Sequence, residues 1–157
     1  TSDAPDHQFA LWKFADGFNL TWENRRFSGN NHMKGENVGV LFYGEKGVLH
    51  LGWLKGWTFY PARGGEPEIH EEPTLHKPDN QNIKELWADF IGSIEQDTLP
   101  VCDILKGHHA TAVCLMAQVS MKLGRSINWD GVRERTGDSE ADKLLRRDYR
   151  GEWDYPV

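Results

Sequence analysis

Hydrophobic and polar residues alternate through the first sixty positions, and the pattern then switches to a helical period; this switch divides the chain. Over residues 8–14, Phe9 and Leu11 fall on one side of an extended chain and Ala10, Trp12 and Phe14 on the other. Asp16-Gly17 supplies the positive-φ pair of a tight hairpin. Residues 18–27 are therefore expected to pair back on the first strand, with Phe18, Leu20 and Trp22 toward a core. Residues 28–37 are polar and carry Gly29 and Gly35, which predicts a mobile connection. Residues 38–43 and 47–53 form a second hairpin across Gly44-Glu45-Lys46-Gly47, and 57–60 makes the next strand. The expectation is an antiparallel meander of about five strands.

Four prolines and the Gly64-Gly65 pair between 61 and 78 predict an irregular excursion out of the sheet. A helix capped by Asp79 or Asn80 follows, with Ile83, Leu86, Trp87, Phe90, Ile91 and Ile94 in one stripe that needs an apolar surface, for which the meander is available. The next helix, 103–123, is apolar around more of its circumference and is expected to be more deeply buried, with a partner as one surface that could cover it. Gly107 inside it costs about 1 kcal/mol relative to Ala, which suggests another backbone passing close by. A short strand at Ile127-Asn128-Trp129-Asp130 and a third, charged helix complete the chain. The fold class expected is α+β: a mostly antiparallel sheet with helices packed on one face, in a single domain spanning 1–157.

Composition narrows the function classes. A net charge of -6 with no clustered basic stripe argues against nucleic acid, whose binding rests on neutralising phosphates. No apolar run approaches the roughly 20 residues of a membrane span. Cys102 and Cys114 are too few for a disulfide scaffold and are separated along one helix, so both are expected as free thiols. Free thiols suit a reducing compartment, and the expected location is cytoplasmic. The chain opens at Thr1 without a readable targeting leader.

Candidate chemistry is sparse. His108-His109 are adjacent on a helix and point about 100° apart, and no Cys, Asp or Glu stands four residues on, so no metal is expected there. His70 and His76 lie in the acidic excursion and read as a solvated loop. No Gly-x-Ser-x-Gly elbow and no Gly-x-Gly-x-x-Gly phosphate loop occurs. The remaining cluster is Arg25 and Arg26 at a strand end with His32 and Lys34 in the following loop. An Arg fork beside a flexible loop can hold an anionic or polyhydroxy ligand, making these four the candidate substrate-binding residues. The structural alternative is a cross-strand ion pair between Glu23 and an arginine.

Several strings occur in a telling order. Pro5-Asp6-His7-Gln8 precedes a strand, Leu20-Thr21-Trp22-Glu23-Asn24-Arg25 lies on the next, and Gly39-Val40-Leu41-Phe42-Tyr43-Gly44-Glu45-Lys46-Gly47 spans the second hairpin. Gly107-His108-His109, the Gly124-Arg125 helix end, Gly137-Asp138-Ser139-Glu140-Ala141-Asp142-Lys143-Leu144-Leu145, Tyr149-Arg150 and Trp153 follow. Taken together, over nearly the whole chain, they resemble the bacterial branch of the Gfo/Idh/MocA oxidoreductases. The resemblance implies a two-domain enzyme, in which a Rossmann domain binds NAD or NADP and a C-terminal domain on a large antiparallel sheet lines the substrate pocket. The open face of that sheet joins subunits into homo-oligomers. The reaction implied is reversible hydride transfer at a carbinol carbon of a sugar or cyclitol.

The departures from the family pattern matter equally. Glu45-Lys46-Gly47 has Gly where the family's Glu-Lys-Pro lysine motif has Pro, and it falls in a hairpin turn. Asp3 and His7 have the spacing of the family's active-site Asp/His pair, but Pro5 between them disfavours the helix it needs. No catalytic, cofactor-binding or metal-binding residue is therefore carried over, and the cofactor is expected in an N-terminal domain outside these residues. Two readings from other classes stand beside this one: a carbohydrate-binding module stacking sugars on Trp53, Trp57 and Trp153, and a stand-alone dimerisation domain.

Overall fold

The computed structural model describes residues 5–26, 31, 33–62, 64, 66–74, 82–147 and 151–153. The strands are β1 (His7–Lys13), β2 (Asn19–Arg25), β3 (Gly39–Gly44), β4 (Gly47–Gly52), β5 (Trp57–Pro61) and β6 (Ile69–Glu71). The helices are α1 (Ile83–Glu95), α2 (Ile104–Leu123) and the single turn α3 (Ser139–Asp142), which runs into a 3-10 turn at Lys143–Leu145. The architecture is α+β, with antiparallel strands in two sheets, β1-β2 and β3-β4-β5-β6. No helix among the described residues is long and apolar enough to cross a membrane. By contacts the chain divides into two compact bodies. One holds Thr1–Asn24 with Cys102–Val157, and the other, the sheet body, holds Arg25–Val101.

In the sheet body the hairpin at Glu45-Lys46 forms as the sequence pattern predicts, in register Phe42↔Leu49 and Leu41↔His50. The meander continues through Leu49↔Phe59 and Phe59↔Ile69, so β6 arises inside the stretch read as irregular. Alternation along these strands puts Val40, Phe42, Leu49, Leu51, Trp57, Phe59 and Ile69 on one face, and Leu41, Val48, His50, Thr58, Tyr60 and His70 on the other. The β4–β5 turn depends on Gly56, which has φ +65° and where a β-carbon would overlap the Glu71 carbonyl oxygen.

Helix α1 starts at Asn82 in the left-handed region without a side-chain cap; Asp79 and Asn80 lie outside the described residues. Its apolar stripe forms but is not covered. Ile83, Leu86, Trp87, Phe90, Ile91 and Ile94 are between 45% and 66% exposed, and the helix has no extensive packing against any strand.

In the other body the Phe14–Phe18 turn closes the β1–β2 hairpin, the Phe14 N–H donating to the Phe18 carbonyl at 2.9 Å. Phe18 and Trp22 are exposed, so the face of β2 expected to be interior is open. Asp103 caps α2 by accepting from the Leu105 and Lys106 N–H groups, and Gly124 closes the helix in the left-handed conformation. Within the chain, α2 buries only Met116 and Val119. These meet Ala141, with Leu123, Ile127, Trp129 and Leu145 around them. Ile127-Asn128-Trp129 is irregular rather than a strand, and Asp130 forms only an isolated bridge with Arg135. Cys102 and Cys114 are free and exposed.

Candidate functional site

The polar face of the four-stranded sheet is crossed by the row Leu41–His50–Thr58–His70, set by register. Thr58 and His50 are buried. His70 Nε2 lies 3.1 Å from Glu72 Oε1, and its Nδ1 lies 2.9 Å from Thr58 Oγ1. A carboxylate only accepts, so Nε2 carries the proton and the Thr58 hydroxyl donates to Nδ1. Both nitrogens of His70 are thus occupied. Thr58 is only 1% exposed and cannot meet a substrate, so this chain of hydrogen bonds ties β5 to β6 and is no nucleophile site.

Part of the stretch read as a mobile connection lies over this polar face. Glu36 is buried, and its Oε1 accepts from the Leu54 and Lys55 N–H groups at 2.5 and 3.1 Å, fixing the β4–β5 turn. The carboxylate fits because position 52 is glycine; a β-carbon there would overlap Oε2. Lys55 Nζ donates to the Lys34 carbonyl at 2.7 Å. Lys34, in the left-handed region at φ 51°, pairs with Glu68 at 2.9 Å and lies over the Tyr60 ring. Glu68 holds the Lys34 ammonium above its ordinary pKa.

Of the four candidate ligand residues, Lys34 thus already has a carboxylate and a ring. Arg25 ends β2 and Arg26 follows it, both exposed and both engaged in interactions of their own, as is Glu23. His32 lies outside the described residues, as do Asp3 and His76. His7 begins β1, so it sits on a strand and not on a helix. The opposite sheet face carries a shallow apolar depression of about 340 Å³ lined by Leu49, Leu51, Trp57, Phe59 and Ile69.

Charged groups organise the body that contains α2. Arg125 bridges Asp138 and Glu140, the latter at 2.9 Å, and these partners raise the guanidinium's pKa. Asp138, which also caps α3, is held below the usual carboxylate range first by Arg125. Asp142 is lowered by the Thr136 hydroxyl and N–H, and Asp130 by the Arg133 and Val132 N–H groups. Asp103 is lowered by its Lys106 side-chain partner. Both neighbouring histidines are exposed. His108 Nε2 lies 2.5 Å from Glu134 Oε1. Sequence spacing could not reveal that pair, because the Asp130–Arg135 bridge brings the two together across 26 positions. Among the described residues no group of three or more potential ligands is placed to hold a metal.

Comparison with protein-family models, curated proteins and solved structures returns no match to this chain.

Proposed function

We propose that this chain is the C-terminal part of an NAD(P)-dependent sugar or cyclitol oxidoreductase of the Gfo/Idh/MocA type. In this role it lines the substrate pocket and joins subunits through a sheet face, while a Rossmann domain holds the dinucleotide. The ordered strings from Pro5 to Trp153 support the reading. The single observation that carries it is the uncovered apolar face of an antiparallel sheet, with Leu51 and Ile69 each about half exposed at 45% and 51%. Soluble proteins rarely leave such a patch unless it is an interface. Covering what remains open of its five depression-lining side chains would contribute on the order of 5 kcal/mol. Arg25, Arg26 and His32 are the proposed contacts to the sugar; Lys34, paired with Glu68, would act by holding its loop in place.

Hydride transfer needs the nicotinamide held against the carbinol carbon, and the cofactor supplies that chemistry. The chain alone is therefore inert in this reading. The genomic reading frame upstream of Thr1 tests it. A Gly-x-Gly-x-x-Gly fingerprint between a strand and a helix is the expected result. A start codon immediately before Thr1, or turnover of a sugar by the chain alone with added nicotinamide cofactor, would overturn it.

A further inference from the structure

The sheet body carries two open apolar surfaces, the face of the sheet and the stripe of α1, and α1 does not pack extensively on the strands of its own copy. We propose that in a symmetric dimer each sheet face is covered by α1 of the second copy of this chain. The proposal rests on reading that face as an interface and names what lies on it. The stripe from Ile83 to Ile94 is about 17 Å long at 1.5 Å per residue. The four strands set their outer axes about 14 Å apart, and the five or six residues of β3, β4 and β5 run about 17–20 Å. One face therefore takes one helix, which is about 10 Å across.

The chain that follows α1 leaves the stripe clear. It turns back along a flank of the helix, where the Thr98 N–H donates to the Ser93 carbonyl and the Val101 N–H to Asp89 Oδ2, each at 2.9 Å. Asp89 and Ser93 stand four residues apart on that flank, away from the stripe, because each residue turns the helix by about 100°. Ser93 is buried there. The side of α1 that its own copy covers is thus the polar one.

Area decides the occupant. The six stripe side chains are between 45% and 66% exposed and leave on the order of 600 Å² open. On the sheet face Val40, Phe42, Leu51 and Ile69 are between 42% and 51% exposed, and with their half-buried neighbours they add on the order of 500 Å². One stripe on one face closes on the order of 1,000 Å², short of the roughly 1,200–2,000 Å² of a stable interface. Two such contacts related by a two-fold axis reach it. A partner that supplied only a helix would stop short and leave the stripe of α1 in solvent; a second copy covers both surfaces at once.

Charge gives the helix its direction. Glu71 shares a face with Ile69 and stands at the Trp57 end of the sheet, while Lys84 lies beside Ile83 in the first turn of α1. Among the described residues neither forms a salt bridge. Setting the start of α1 at the Glu71 end of the second copy pairs these charges twice per dimer. On a chain of net charge -6 this offsets the repulsion of self-association.

The test is sedimentation velocity on a helix variant of the 157-residue chain, Trp87→Gln with Phe90→Gln, on a face variant, Leu51→Thr with Ile69→Thr, and on their equimolar mixture. Both helix positions are exposed and glutamine keeps helix preference, so amide protection across β3–β5 should match the parent's. Each variant alone should stay monomeric where the parent associates, because every dimer it could form has both contacts broken. The mixture should associate, more weakly than the parent, because a mixed dimer keeps one intact stripe on one intact face. A charge exchange reads the same contact without touching apolar surface. Lys84→Glu should weaken association roughly tenfold, and Glu71→Lys added to it should restore the parent's value. A helix variant that associates like the parent overturns the proposal and leaves the sheet face as an interface covered by something else. A mixture that stays monomeric at every concentration, or a charge exchange without effect, also overturns it. A parent that never associates overturns both the proposal and the sheet-face reading.

Discussion

The two bodies of the chain differ in whether they bury apolar side chains: among the described residues only the body containing α2 does so, beside its capping Asp103. The body containing α2 closes a small apolar core of Met116, Val119 and Ala141. Among the described residues, the side chains buried in the sheet body are polar: Glu36, His50, Thr58 and Ser93. The sheet carries the Thr58–His70 hydrogen bond on one face and leaves Leu51 and Ile69 about half exposed on the other, the kind of patch the proposed interface would cover. The difference teaches that one body closes a small apolar core of its own, while the other leaves apolar side chains open, which is where the proposed interface would lie.

Substitutions sharpen that contrast. Gly56→Ala should destabilise the sheet body most, by about 3 kcal/mol, since it combines a left-handed backbone with overlap on the Glu71 carbonyl. Chemical denaturation, with loss of amide protection at the β5–β6 pairing, would register it. Met116→Ala should cost the other body about 2–3 kcal/mol, the lower part of the range for such truncations because the core is small. Its signature is lost protection along α2 with the β3–β6 amides unaffected. Glu36→Ala should follow at roughly 1–2 kcal/mol, since it strips the Leu54 and Lys55 N–H groups of their acceptor. Hydrogen exchange at those two amides is the direct readout.

Acid and base separate the bodies with smaller effects. Asp103, Asp130, Asp138 and Asp142 have folded pKa values below the ordinary 3.8, and all lie in the body that contains α2. Their stabilisation is complete above that value and is lost as pH falls through the lowered ones. The Lys34 ammonium is raised above 10.5, so its contribution to the sheet body is complete below that pH and fades as pH rises through the higher value. Exchange profiles at the two extremes should therefore loosen first in α2 and α3 at low pH, and over residues 33–36 at high pH.

Local rules in the sequence made the helix ends and hairpins legible. Asp103 and Gly124 bracket α2 because a side-chain acceptor and a left-handed glycine act on their immediate neighbours. Glu45-Lys46 turns the β3–β4 hairpin for the same kind of reason. Periodicity also located the apolar stripe of α1, but it carries no information on whether a partner surface lies within the same chain, and here the stripe is open. Nonlocal partners were hidden. Glu36 reads as loop until Gly52 and the Leu54 amide come to it. The β6 strand exists through its register with Phe59, in a stretch whose prolines favour irregular structure. Resemblance supplied Arg25, Arg26, His32 and Lys34 with a context but could not foresee that Glu68 already engages Lys34.

Sedimentation velocity over a concentration series, on the chain and on a Leu51→Thr, Ile69→Thr double variant, tests most directly whether the open sheet face is an interface. Threonine keeps strand preference while removing apolar surface. The account predicts reversible association of the chain that disappears in the variant, while the variant's melting temperature stays close to that of the parent. A chain that sediments as a monomer at every concentration, or a variant that associates equally well, would contradict it.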